Sequence, residues 1–181
     1  MLHNAALRDQ TVVFRRLIKL AKHRVEQDST YQGKKVIHEW VNRKTNEEEF
    51  TAIHYASFNG NLEICQMLLE EGADKYALNT HGLNCLHIAA QGDQPGSLYY
   101  FHKILNLNLT EKDHRSSTPL HWAVFSLSEL AMIYILAWLS MDELSQRDDE
   151  GQTALHLAIK TCPKLENIRP VRNLLYIGAP T

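Results

Sequence analysis

Cysteine is scarce and irregular in this chain. Only Cys65, Cys85 and Cys162 occur in 181 residues, with no C-x-x-C pair. That argues against a disulfide framework or a structural zinc site and suits a cytosolic or nuclear protein. Each cysteine is expected as a small buried hydrophobe. A long apolar run is also missing: the longest, Leu130 to Leu139, is interrupted by Tyr134. It falls well short of the roughly 20 residues a bilayer span needs. Met1-Leu2-His3-Asn4-Ala5-Ala6 has no basic segment followed by an apolar core, so no signal peptide is read. Net charge is only −2, so no global field draws nucleic acid or membrane. No G-x-S-x-G elbow, phosphate-binding glycine loop or H-E-x-x-H is present. No catalytic residue, metal or cofactor is therefore expected.

What the chain does have is an ordinary globular composition, 44% hydrophobic and 22% charged, enough to bury a core. The charge is uneven. Residues 1–45 carry a local +6 and residues 46–181 a local −8. A basic arm of this kind can meet an acidic partner, nucleic acid or anionic lipid. Interleaving with apolar residues suits a solvated helix face better.

The dominant pattern is a tetrad: Thr51-Ala52-Ile53-His54, Asn84-Cys85-Leu86-His87, Thr118-Pro119-Leu120-His121 and Thr153-Ala154-Leu155-His156. Their histidines lie 33, 34 and 35 residues apart, and each is followed by a bulky residue and then alanine. A unit recurring at this period predicts a stacked all-α solenoid. In the cleanest unit a helix runs from Thr51 to about Phe58, Asn59-Gly60-Asn61 breaks it, and a second spans Leu62 to Glu70. Ile64, Met67 and Leu68 repeat at helical spacing there, and Gly72 ends the helix. Two such helices cannot bury their apolar faces alone, so neighbours complete the core. Ala56, Ala89 and Ala123 supply small surfaces for close approach.

These residues resemble the ankyrin repeat. Thr51–Ala56 with Gly60-Asn61-Leu62-Glu63-Ile64 and Leu68–Asp74 is similar to the family pattern, and so is Asp148–Ala158. The resemblance covers nearly the whole chain and implies about five helix-turn-helix repeats with hairpin-like turns. It divides the chain into an atypical first repeat over 1–46, with an insertion at about 21–35, and four repeats over 47–79, 80–113, 114–148 and 149–181, the last incomplete. The echo of the tetrad at Leu2–Ala6 marks the first repeat. Glu26 to Lys35 reads as a loop, and Val36, Ile37, Trp40 and Val41 as a short amphipathic turn or helix. Leu174–Ala179 matches the end of a second helix. A stack without a polar capping repeat suggests a fragment of a longer protein, or a partner over its last face.

Departures from the pattern carry their own expectations. Glu49 and Ser116 stand at the turn-glycine position, which predicts looser or reshaped turns. Gly92–Gly96 reads as an unusual interhelical loop. Thr161–Arg169 reads as a longer one, with Pro170 opening the next helix.

Four histidines at one position suggest a metal ladder, but layers ~10 Å apart cannot share one ion with bonds of ~2.0 Å. The resemblance implies instead that the tetrads Thr51/His54, His87, Thr118/His121 and Thr153/His156 are hydrogen-bond clasps tying neighbouring loops. Cys85, though beside His87, is expected buried and inert. Asp148-Asp149-Glu150 is expected as a solvated tip, too poor in oxygen ligands for calcium. Trp122 is expected in the core, as is Trp138 in a stripe with Leu130, Ile133 and Leu139.

The resemblance places variable, partner-contacting positions at turn tips and first-helix ends. Candidates are Phe58, Asn59, Thr80, His81, Leu83, Gln91, His114, Arg115, Ser117, Phe125, Asp149, Glu150, Gln152 and Lys160. Aromatic anchors within a polar rim suit protein recognition. The expected function is a non-catalytic interaction module, cytoplasmic, binding a protein through its concave face and not nucleic acid. The alternative is an N-terminal, substrate-recruiting domain of a larger membrane-bound palmitoyltransferase, on the cytosolic face of a membrane. Leu86–Gln94, Leu98–Phe101 and Ser117–Ala123 resemble the ankyrin region of such enzymes. Their Asp-His-His-Cys segment is absent from this sequence, so no catalytic residue carries over.

Overall fold

A computed structural model describes residues 1–27, 33–165 and 168–179. Helices begin where the tetrads begin. Thr51 is extended, and with His54 it forms a reciprocal capping box that starts α4 (Ala52–Asn59). Asn84 with His87 starts α6 (Cys85–Gln91), and Thr118 with His121 starts α8 (Pro119–Phe125), whose Pro119 needs no backbone donor in the first turn. The first unit opens with α1 (Leu2–Leu7) and the fifth with α11 (Ala154–Leu165).

These five helices form an inner row, α1 against α4, then α6, α8 and α11. Each carries a second helix on its outer side: α2 (Thr11–Gln27), α5 (Leu62–Glu70), α7 (Pro95–Tyr99), α9 (Glu129–Leu136) and α12 (Arg169–Tyr176). Two further helices, α3 (Gly33–Val41) and α10 (Met141–Leu144), lie in connections. The result is an all-α solenoid of helix pairs. Ala56, Ala89, Ala123 and Ala158 are fully buried where inner helices meet. Ile64, Leu68, Leu98, Phe101, Met132, Ile135 and Leu174 seal the outer row from within. Each such side chain contributes roughly 1.5–3 kcal/mol on burial.

One backbone device joins the two helices of successive units. Ala6, Ser57, Ala90 and Val124 carbonyls accept from Asp9, Gly60, Asp93 and Leu127, and the next N–H closes on Ala5, Ala56, Ala89 and Ala123. Asp9, Asp93 and Leu127 hold the same left-handed backbone as Gly60. The third unit's connection is therefore ordinary and short. Pro95 and Gly96 already belong to α7, contrary to the loop expected over Gly92–Gly96. Beyond Tyr99 that helix widens into a π-helical turn, Tyr100–Ile104.

Other expectations need correction. Glu26 and Gln27 continue α2, and Lys35 lies in α3, so the loop expected over Glu26–Lys35 is helical at both ends. Residues 28–32 of that insertion lie outside the described residues. Likewise α11 runs on through Thr161 to Leu165 where a loop was expected, while 166–167 and the Cys162 side chain lie outside the description. Trp138 is not in the core: it is 50% exposed, and Leu130 and Ile133 are 55% and 53% exposed. In the near-continuous apolar run of α9 the buried face is Ala131, Met132 and Ile135; of the expected stripe only Leu139 packs against the core, while the rest points outward. Trp138 packs edge-on against His102, with Lys103 Nζ 3.5 Å from its ring centre.

Candidate functional site

The turns between units set the geometry of the candidate edge. Asn79 Oδ1 accepts the N–H groups of His81 and Leu83. Asp113 Oδ1 accepts those of Arg115 and Ser117, and Asp148 Oδ1 those of Glu150 and Gln152. Each turn closes with the Asn79, Asp113 or Asp148 N–H donating to the carbonyl of Leu83, Ser117 or Gln152. Ser116 adopts a left-handed φ of 58°, close to those of Gly82 (78°) and Gly151 (74°). The turn expected to be reshaped at Ser116 keeps the glycine shape under strain. Glu49 (φ 54°) does the same in a turn one residue longer, closed by Thr45 N–H on Phe50 O.

Successive tips are stitched together. Thr80 N–H donates to Glu48 O, His114 N–H to His81 O, and Asp149 N–H to Arg115 O. Side chains follow: His81 Nε2 lies 3.0 Å from Glu48, and Arg115 donates to Glu150 at 2.8 Å. Below the tips, His54, His87 and His121 are buried. Their Nε2 atoms meet the carbonyls of Ala77, Ser117 and Gln152, each at 3.1 Å. A carbonyl only accepts, so the proton sits on Nε2. In the threonine tetrads Nδ1 then accepts, from the Thr51 or Thr118 N–H and hydroxyl. His156 makes the same contact with Thr153, 2.7 Å from the hydroxyl. His3 behaves as a fifth member, its Nε2 2.8 Å from Arg43 O. Burial pushes the His54 and His87 imidazolium pKa down to about 4 against the pull of these carbonyls. Burial also raises the Cys65 thiol to about 12 and pushes Cys85 up as well, so neither supplies a thiolate.

Between the tips and ends of the fourth and fifth inner helices lies a groove of about 310 Å³. Trp122, Phe125 and Leu157 form its apolar wall. Arg115, Glu150 and Lys160 form a charged rim, with Glu150 2.8 Å from Arg115 and 3.2 Å from Lys160. Trp122 is half-buried rather than core, because its indole N–H donates to Asp113 Oδ2 at 2.8 Å, which turns the ring toward the tip. Phe125, 59% exposed, packs edge-on against it.

Of the sequence-derived candidates, Arg115, Ser117, Phe125, Glu150, Gln152 and Lys160 meet in this groove. Thr80, His81, His114 and Asp149 are exposed on the tips, while Phe58 (41% exposed), Asn59 and Gln91 sit at inner-helix ends. Two candidates are internal fastenings. Leu83 is buried at 3% exposure, because its backbone closes the Asn79 turn and draws the side chain inward. Asn59 Nδ2 donates to Ala6 O and Leu7 O, tying α4 to α1. Asp113 and Leu157 line the groove but were not singled out, and Trp122, expected in the core, lines it too. The recurrence of Asn79, Asp113 and Asp148 five residues before each helix cap was the signal available for Asp113.

Among the described residues no helix is long and apolar enough to cross a membrane, and no three of His, Cys, Asp and Glu stand placed to hold a metal ion.

Known proteins share this pattern. The chain is 31% identical to dog (Canis lupus familiaris) inversin over 118 residues, 62% of this chain and 10% of that protein. It is 30% identical to the nuclear factor NF-kappa-B p105 subunit of Gallus gallus over 71% of this chain and 14% of that one. It is 29% identical to palmitoyltransferase akr1 of Schizosaccharomyces pombe over 47% of this chain and 18% of that enzyme. The chain thus spans less than a fifth of the length of each of these relatives. The family model described as "Ankyrin repeats (3 copies)" matches residues 2–101 and again 86–179; with its capped helix pairs and histidine clasps, the chain belongs to the ankyrin-repeat family.

Proposed function

We propose that this chain is a non-catalytic module that binds a partner protein through its concave face, anchored in the Trp122–Phe125 groove. The carrying observation is that groove: two adjacent aromatic rings, one 59% exposed, inside a rim of Arg115, Glu150 and Lys160. Exposed aromatics within a polar rim are the usual anchors of protein interfaces. The rim ion pairs are solvent-exposed and contribute little to folding, which leaves their charges available to steer a partner.

The test is a quantitative pull-down followed by affinity measurement on the enriched protein. Phe125→Ala should weaken binding about tenfold or more at unchanged thermal stability. Undiminished binding by Phe125→Ala and by Phe58→Ala/Phe125→Ala moves the interface elsewhere.

A second reading is favoured by the likeness to palmitoyltransferase akr1: a substrate-recruiting domain of a larger membrane-bound S-palmitoyltransferase. Reading the coding sequence past Thr181 decides it. Membrane spans with an Asp-His-His-Cys segment support this reading, and a stop codon after one further repeat removes it.

A further inference from the structure

A second groove, of about 600 Å³, opens between α2 and α3, remote from the Trp122 groove. Its walls are apolar: Leu17, Leu20, Val25, Val36, Ile37 and Trp40. Leu20 and Val36 are 54% and 52% exposed, although neighbouring Phe14 and Ile18 are buried in the core. At the edge stand Arg24 and Arg43.

Three cations of α2 differ in what faces them. Toward α5, Arg15 pairs with Glu63 and Lys22 with Glu71. At the groove the carboxylate is Glu39, which has Lys35 at 3.8 Å. Arg24 and Arg43 meet no carboxylate among the described residues. Among the described residues, Glu39 is thus the one carboxylate lining the groove beside Arg24 and Arg43.

We infer that this groove docks an acidic amphipathic segment of a partner protein, its apolar residues on Leu20, Val36 and Trp40 and its carboxylates at Arg24 and Arg43. Exposed apolar surface rimmed by charge marks an interaction site. A concave slot between two helices seats side chains from a helix or strand, whereas a bilayer is met by an apolar face lying flat on it. This site is independent of the Trp122 groove.

The experiment is selection of a random 16-residue display library on the chain. Enriched peptides are then measured by fluorescence anisotropy against the chain, Leu20→Gln/Val36→Gln, Arg24→Glu/Arg43→Glu and Phe125→Ala, each checked for unchanged melting. All substituted side chains are at the surface or groove edge. The expected result is peptides of net negative charge with apolar residues at helical spacing. They should weaken about tenfold or more on both double variants, weaken further with added salt, and bind Phe125→Ala unchanged. Enrichment without acidic bias, or equal binding to the double variants, overturns the inference. Failure to enrich any peptide also overturns it. Co-sedimentation with phosphatidylserine vesicles in place of peptide binding assigns the face to lipid, and a concentration-dependent dimer lost in Leu20→Gln/Val36→Gln assigns it to a second copy.

Discussion

Trp122 and Asp113 are joined by an indole N–H···Oδ2 bond of 2.8 Å, and this contact couples the turn between units to the wall of the proposed groove. The other Asp113 oxygen holds the turn, accepting from Arg115 and Ser117. One carboxylate therefore fixes both the turn tip and the angle of the groove's aromatic wall. Trp122→Phe keeps the apolar wall and removes the donor. Leaving one carboxylate oxygen at a 7%-exposed residue without its partner should cost about 1–3 kcal/mol. Urea denaturation reads that loss. A shift below the precision of the midpoint would show that water replaces the indole without penalty.

Ser116 stands where Gly82 and Gly151 stand, with the same left-handed backbone. Ser116→Gly relieves a conformation that disfavours side chains by about 1–2 kcal/mol, offset by the extra freedom of glycine in the unfolded chain. A net gain of roughly 0.5 kcal/mol is expected by chemical denaturation. Gly92→Ala goes the other way for a different reason. Its φ is an ordinary −82°, but a Cβ there would lie 2.2 Å from the Phe58 carbonyl oxygen. The ends of α4 and α6 would have to separate, and a loss of about 1–3 kcal/mol follows from overpacking. A fully stable Gly92→Ala protein would contradict this close approach.

The sequence made some of this legible and hid the rest, for physical reasons. Tetrad spacing and the Leu62–Glu70 periodicity gave the helix pairs because capping and amphipathicity are local. The Ser116 turn was misread because the glycine rule describes cost and not prohibition: a turn held by Asp113 and by the neighbouring tip can tolerate a strained serine. Trp138 was misplaced because the run from Leu130 to Leu139 is apolar on nearly every side, so periodicity could not select a buried face. The Trp122 groove was half legible. Arg115, Phe125 and Lys160 came from repeat position, but the orientation of Trp122 depends on Asp113, nine residues earlier in the chain.

Stability should fall on mild acidification. His54 and His87 have folded-state pKa values near 4 against the ordinary 6.5. The folded state therefore takes up protons later than the unfolded one. The stabilisation from neutral burial is present above pH 6.5 and is lost as pH falls from there toward 4. By pH 5 the loss is roughly 2 kcal/mol per histidine. Denaturation midpoints measured between pH 7.5 and 4.5 should drop most steeply below pH 6.5. A flat profile through that window would mean that the rings are protonated, or wet, in the folded stack.

Asn84 supplies the last test, because it replaces the tetrad threonine. Its Oδ1 accepts from Leu86 N–H at 3.0 Å and His87 N–H at 3.1 Å, which fixes the amide orientation. The same oxygen lies 2.7 Å from His87 Nδ1. With the ring proton on Nε2 toward Ser117 O, two acceptors face each other, where Thr51 and Thr118 place a hydroxyl that can donate. Asn84→Thr should therefore stabilise the chain above pH 6.5 by about 0.5–1.5 kcal/mol, the worth of one added hydrogen bond. Below the His87 pKa the ring gains an Nδ1 proton that donates to Asn84 Oδ1, and the advantage of threonine should shrink. Parallel denaturation of the two proteins at neutral and acidic pH checks both halves. A threonine advantage that is absent at neutral pH would place the His87 proton on Nδ1 instead.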